Sequence, residues 1–214
     1  MKKSLYILGL LLCLQQTVQA KITSCKGYYI MAAGDSISCT FDIPTDRSTN
    51  QPIYLELQKR VIAIDNGTAK KHSYGPKHLK KFVFDFDSLH IEIHSIPFGK
   101  KAKKIFVKNE ATGFLTIYSY YSETEARPQD NGINFGYSPS YGNGMYSVRT
   151  GIFQNFLMQK PNEQLAYIDG LNFKASMANY FVDYPELVEK IKKGEYTKKT
   201  IRAIGEDYNQ HHGK

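Results

Sequence analysis

The chain has 214 residues, with 28 lysines and arginines against 20 aspartates and glutamates, a net charge of +8, and only three cysteines. That length can bury a substantial core as one domain or two small ones. Beyond the N-terminus no stretch is apolar enough for a membrane helix, which excludes a chain that crosses by helices once its leader is removed.

Residues 1–20 read as a signal peptide. Lys2 and Lys3 form a basic start, Leu5 to Leu14 a short apolar run, and Val18-Gln19-Ala20 a cleavage site with small residues at −3 and −1. Cleavage after Ala20 is expected to leave 194 residues with 26 basic against 20 acidic side chains, a net charge of +6. In an exported protein such an excess suits an anionic polysaccharide, lipid headgroups or acidic proteins, or serves solubility alone. Cys25 and Cys39 survive cleavage, and an oxidising compartment would permit them to pair.

In Ile30 to Ile43, "IMAAGDSISCTFDI", Ile37, Cys39, Phe41 and Ile43 alternate with Ser36, Ser38, Thr40 and Asp42, a period of two. With Ala33-Gly34 as a two-residue loop, Ile30 is expected opposite Ile37 and Tyr28 opposite Cys39, with Cys25 on the other face. Gly34-Asp35-Ser36-Ile37 is also the opening block of a group of serine esterases. There the serine begins a helix after a buried parallel strand. Strand spacing after Ser36 argues for the hairpin. The companion blocks of that group are incomplete: Gly132-Ile133-Asn134-Phe135 lacks the aspartate, and Asp207 and His211 are one residue too far apart. A serine with no positioned base is a hydroxyl group. Ser36 as nucleophile is therefore only the alternative, and no cofactor is expected.

Ile53 to Ile64 reads as a strand with a slip near Lys59, ending at the Asp65-Asn66-Gly67 turn. Tyr74 to Phe82 reads as a turn and a short step into a hairpin in which Phe82, Phe84 and Phe86, then Leu89, Ile91 and Ile93, face one way. His90, Glu92 and His94 share its outer face. His90 and His94 are roughly 13 Å apart on a strand, too far for one zinc ion. Asp85, His90 and Glu92 remain a weak candidate set for a metal. A third hairpin joins Ile105–Val107 to Phe114–Tyr120. Residues 122–144 form a Gly/Pro/Tyr-rich loop whose Tyr137 and Tyr141 could stack on sugars.

From residue 171 the period becomes helical. Phe173, Met177, Tyr180 and Phe181 make one stripe, and Leu187, Val188 and Ile191 follow Pro185 in a helix that Gly194 ends. Thr197 can cap a last helix with Ile201, Ile204 and Tyr208 inside.

Gly27-Tyr28-Tyr29-Ile30 with Gly34-Asp35-Ser36-Ile37, the step from Tyr74 to Phe82, the Phe106–Gly113–Tyr118 hairpin, and Asp183-Tyr184-Pro185-Glu186-Leu187-Val188-Glu189-Lys190-Ile191 with Tyr196 and Tyr208-Asn209 stand in one order. In that order the chain resembles a group of exported bacterial proteins of uncharacterised function. Ser36 and Tyr184 depart from that group's usual threonine and cysteine. The resemblance implies a periplasmic, envelope-associated or secreted location and brings no active site.

The expected fold is α+β. Antiparallel hairpins over 21–121, as a meander or small barrel-like sheet, are followed by the 122–144 loop and a mixed segment over 145–214. That segment ends in helices packed on the same domain. The expected function is non-enzymatic binding of an anionic or carbohydrate envelope component, not nucleic acid. Its expected ligand-binding residues are Tyr137, Tyr141, Lys80 and Lys81, supported by lysines 70, 71, 77, 100, 101, 103 and 104.

Overall fold

The computed structural model describes residues 20–99, 101–124 and 150–213. The leader before Ala20, the block at Gly132 and the loop tyrosines Tyr137 and Tyr141 lie outside the described residues. The fold is α+β, a ten-stranded antiparallel sheet followed by helices at the C-terminal end of the chain. β1 (Lys21–Met31) and β2 (Ser36–Thr45) make a hairpin, the short α1 (Tyr54–Leu57) follows, and β3 (Val61–Asp65) and β4 (Lys71–Tyr74) make a second hairpin. β5 (Leu79–Phe86), β6 (Leu89–Phe98), β7 (Lys103–Ala111), β8 (Thr116–Thr124), β9 (Thr150–Gln159) and β10 (Ala166–Ile168) form a meander. The sheet order is β10-β9-β8-β7-β6-β5-β1-β2-β3-β4, so the β1–β5 pairing joins two meanders. A small barrel does not form. The sheet is open, and its end strands have only four (β4) and three (β10) residues, too short for a closing ladder.

The first hairpin forms in a different register from the expected one. Ile30 pairs with Ser36, Tyr29 with Ile37 and Gly27 with Cys39. The loop is four residues, 32–35, rather than two, closed by Met31 N–H to Asp35 O at 2.9 Å and Gly34 N–H to Met31 O at 3.0 Å. A one-residue slip moves every side chain to the other face. Tyr29 is therefore buried where Tyr28 was expected, and Cys25 faces the same core as Cys39. Both cysteines are free thiols, and burial pushes Cys39 up to about 12. Cys25 lies opposite Phe41 and Cys39 opposite Gly27, a diagonal relation. Diagonal neighbours are about 7–8 Å apart, beyond ordinary disulfide reach.

Residues 53–60 differ as well. Leu57 N–H bonds Ile53 O at 3.2 Å and Gln58 N–H bonds Tyr54 O at 2.9 Å, so the first half of the expected strand is α1. Leu57 is thereby driven into the core, and the slip at Lys59 marks the boundary before β3. The Phe82, Phe84 and Phe86 face is buried as expected, and Asp87 and Ser88 turn the hairpin with positive φ angles of 46° and 65°.

One face of the sheet carries two cores. Phe41, Phe82, Phe84, Ile93 and Phe106 pack under Leu57 at one side. Ile117, Phe156, Met158 and Ile168 pack at the other under α2 (Phe173–Tyr180), α3 (Pro185–Lys193) and α4 (Ile201–His212). A polar seam divides them. Glu110 accepts from Lys108 Nζ at 2.9 Å and from Ser119 Oγ at 2.6 Å, Gln154 Nε2 donates to Ser119 Oγ at 3.0 Å, and Gln58 bonds both backbone groups of Tyr121.

α3 begins and ends on the expected signals: Pro185 opens it and Gly194 ends it in the left-handed region. Thr197 does not cap α4 itself but forms, with Thr200, a capping box on the 3-10 turn Lys198–Thr200 that leads into it. Asp183 accepts from Tyr208 Oη at 2.5 Å and from Lys160 Nζ at 3.0 Å, tying α4 and the end of β9 to the α2–α3 link. Asp207 accepts from Lys190 at 2.7 Å, Tyr196 at 2.9 Å and Tyr184 at 3.1 Å. The motif residues Asp183, Tyr184, Lys190, Tyr196 and Tyr208 are thus engaged in holding the helices together.

Candidate functional site

Ser36 is the first residue of β2, exposed, and opposite Ile30 in the ladder. Gly34 takes φ +116°, the left-handed turn conformation expected of it. The chain continues from Ser36 as a strand, so no helix N-terminus aims its amides at the hydroxyl. Among the described residues no hydrogen-bond partner approaches that hydroxyl. The C-terminal candidates for its partners are committed elsewhere: Asp207 to Lys190, Tyr196 and Tyr184, and His211 to a stack on Tyr184 at 3.9 Å. They sit on α4, which packs on β7 and β8, four or more strand positions from β2. Incubation with a fluorophosphonate probe is expected to leave the protein unlabelled. Labelling abolished by Ser36→Ala would overturn this reading.

Asp85 and His90 face each other across the β5–β6 hairpin, with His90 Nδ1 2.8 Å from Asp85 Oδ1, both exposed. Glu92 does not join them. Its carboxylate is taken by Lys81 Nζ and by Asn109 Nδ2 at 3.1 Å. His94 Nε2 lies 3.0 Å from Glu92 Oε1. Burial pushes Glu92 up, but Lys81, His94 and Asn109 together outweigh it and hold it at about 2. No cluster of three His, Cys, Asp or Glu suited to a metal occurs among the described residues.

That depressed value carries a pH prediction. A carboxylate whose folded-state value lies below its ordinary one gives stability that is fully present above the ordinary range and lost on acidification. Asp183 and Asp207 are shifted the same way, because their tyrosine and lysine partners overcome the upward push of burial. Stability is expected to fall between about pH 5 and about pH 2, with a shallower fall in Glu92→Gln. Urea midpoints across that range check it, and identical slopes for the two proteins would contradict it.

A groove of about 500 Å³ runs between β6–β7 and α4, lined by His90, Glu92, Asn109, Glu110, Arg202 and Glu206 among others. Several of its polar groups are already partnered, Glu92 by Lys81 and Glu110 by Lys108 and Ser119.

Of the lysines expected to bind a ligand, Lys100 lies outside the described residues, and two of the others are held by carboxylates while four are gathered together. Lys81 is bound to Glu92, and Lys71 to Asp42 at 2.7 Å, both by cross-strand pairings. Lys77, Lys101, Lys103 and Lys104 instead line one depression of about 480 Å³, with Ala102 the fifth lining residue. All four are exposed, and among the described residues none has a carboxylate partner.

The fold explains the gathering. Ser95 Oγ donates to Pro76 O at 2.5 Å, which fixes the turn before β5 beside the end of β6. Gly99 and Ala102 both take positive φ and Ala102 N–H bonds Gly99 O at 2.9 Å, so the β6–β7 turn is tight and sets Lys101, Lys103 and Lys104 at one end of the sheet. Lys80 continues the basic end, its Nζ lying over the β1–β2 turn 3.8 Å from where a Gly34 Cβ would be.

No helix among the described residues is long and apolar enough to cross a membrane. Compared with family models, with curated proteins and with solved structures, the chain finds a match in none of the three.

Proposed function

We propose that this is an exported, non-enzymatic binding protein that takes an anionic partner at the basic end of its sheet. One observation carries the reading: four lysines, from the turn before β5 and from the β6–β7 turn with the first residues of β7, line a single depression with no carboxylate among its lining residues. Uncompensated like charges raise the local potential and attract anions, at a cost in self-repulsion that partnered lysines such as Lys71 and Lys81 avoid. The signal-peptide pattern and the motif resemblance support an exported location in a bacterial envelope or its surroundings. The Ser36 strand and the engagement of Asp207 and His211 support a role without chemistry.

Binding of the mature protein to immobilised dextran sulfate tests the reading. Retention is expected at about 0.05 M salt and is expected to be lost near about 0.5 M, where screening confines charge attraction to a few ångströms. Reversing Lys77, Lys101, Lys103 and Lys104 to glutamate is expected to weaken binding at least about tenfold. Reversing Lys193, Lys198 and Lys199 at the helical end is expected to change it less than about threefold. Equal losses in both variants, or equal retention by a neutral glucan, would contradict it.

A further inference from the structure

We infer that the partner is an extended polyanion, a soluble chain bearing several phosphate, sulfate or carboxylate groups, rather than a single small anion or a membrane surface. This rests on the reading above and deepens it. The depression is lined by four lysines and one alanine, with no hydroxyl, amide or guanidinium side chain among its lining residues. A site for one small anion is built from fixed donors converging on a point. Exposed lysines are flexible point charges, each weak alone and effective in sum.

Their placement follows a line. Lys80 overlies the β1–β2 turn, Lys77 precedes β5, and Lys101, Lys103 and Lys104 flank the β6–β7 turn, so the charges run across the ends of four neighbouring strands. Strand spacing makes that row about 15 Å long. A lone phosphate meets part of it at a time, whereas a chain meets all of it, and each later contact is intramolecular. Asp35 stands in the β1–β2 turn and offsets some charge at the Lys80 end, which leaves the lysine-lined depression as the strongest stretch. The concavity argues against a bilayer, because a flat surface touches its rim and a chain can follow its floor.

Competition against dextran sulfate decides between these partners, using inorganic phosphate, long-chain polyphosphate and phosphatidylglycerol vesicles with the intact mature protein. Polyphosphate is expected to compete at least about tenfold better per phosphate than inorganic phosphate. Reversal of the four lysines is expected to remove that advantage while leaving the thermal unfolding midpoint within a few degrees. Inorganic phosphate competing as well as polyphosphate would show a discrete site, and stronger competition by vesicles a membrane surface. Either result overturns the inference while leaving lysine-dependent anion binding in place. Binding that ignores the four lysines overturns the inference together with the reading beneath it.

Discussion

Replacing Gly27 by alanine is expected to destabilise the protein by about 3 kcal/mol or more, enough to prevent folding of a marginal domain. Gly27 lies in β1 between β2 and β5, facing the core. A Cβ there would stand 2.0 Å from Val83 O and 2.9 Å from both Phe41 Cε2 and Phe84 Cα. Two of these are backbone atoms of the adjoining strand, so relief requires the β1–β5 ladder to open, and among the described residues that ladder is the one strand pairing between the two meanders. The Phe41 ring occupies the space because it sits opposite Cys25, one pair along the same face from Gly27 and Cys39. Gly67→Ala serves as control, since its Cβ would meet only Asp65 Oδ1 at 3.5 Å, and less than about 0.5 kcal/mol is expected. Urea unfolding measures both. A loss below about 1 kcal/mol in Gly27→Ala would show that β1 does not run against β5 in this register.

Asn209→Ala is expected to cost about 2–4 kcal/mol. The Asn209 side chain accepts from Leu115 N–H at 2.6 Å and donates to Leu115 O at 3.0 Å, docking α4 on the β7–β8 turn. Leu115 is fully buried, so both backbone groups lose their partner where water cannot replace it. Faster amide exchange at Leu115, with the β1–β2 amides unchanged, is the accompanying sign. Unchanged stability together with continued protection at Leu115 would contradict this role.

What could be read from the sequence was mostly local. Pro185 and Gly194 act within their own turns, so the boundaries of α3 were legible, whereas the 3-10 turn Lys198–Thr200 between Thr197 and α4 was not. Phe82, Phe84 and Phe86 were legible because one face of β5 is uniformly large and apolar. The β1–β2 register was not, because Tyr28 and Tyr29 offer either parity and the loop length decides between them. β9 escaped notice because Phe156, Leu157 and Met158 are all fully buried, which erases the period of two that marks a half-exposed strand. α1 has four residues, too few for any helical period. At the candidate site, composition gave the lysines, but partnership depended on strand neighbours. Lys81 reaches Glu92 across β5–β6, and Lys71 reaches Asp42 from β4 to β2, pairings that no linear spacing reveals. Separating the free lysines from the bound ones therefore required the sheet.

Amide chemical-shift mapping with ¹⁵N-labelled protein beginning at Lys21, titrated with a soluble polyanion at low salt, tests the central claim most directly. The account predicts shifts concentrated at Lys77, Lys80 and residues 101–104, with the last helix and its preceding lysines silent. Shifts centred on Lys193 to Arg202, or scattered over the whole surface in proportion to charge alone, would contradict it.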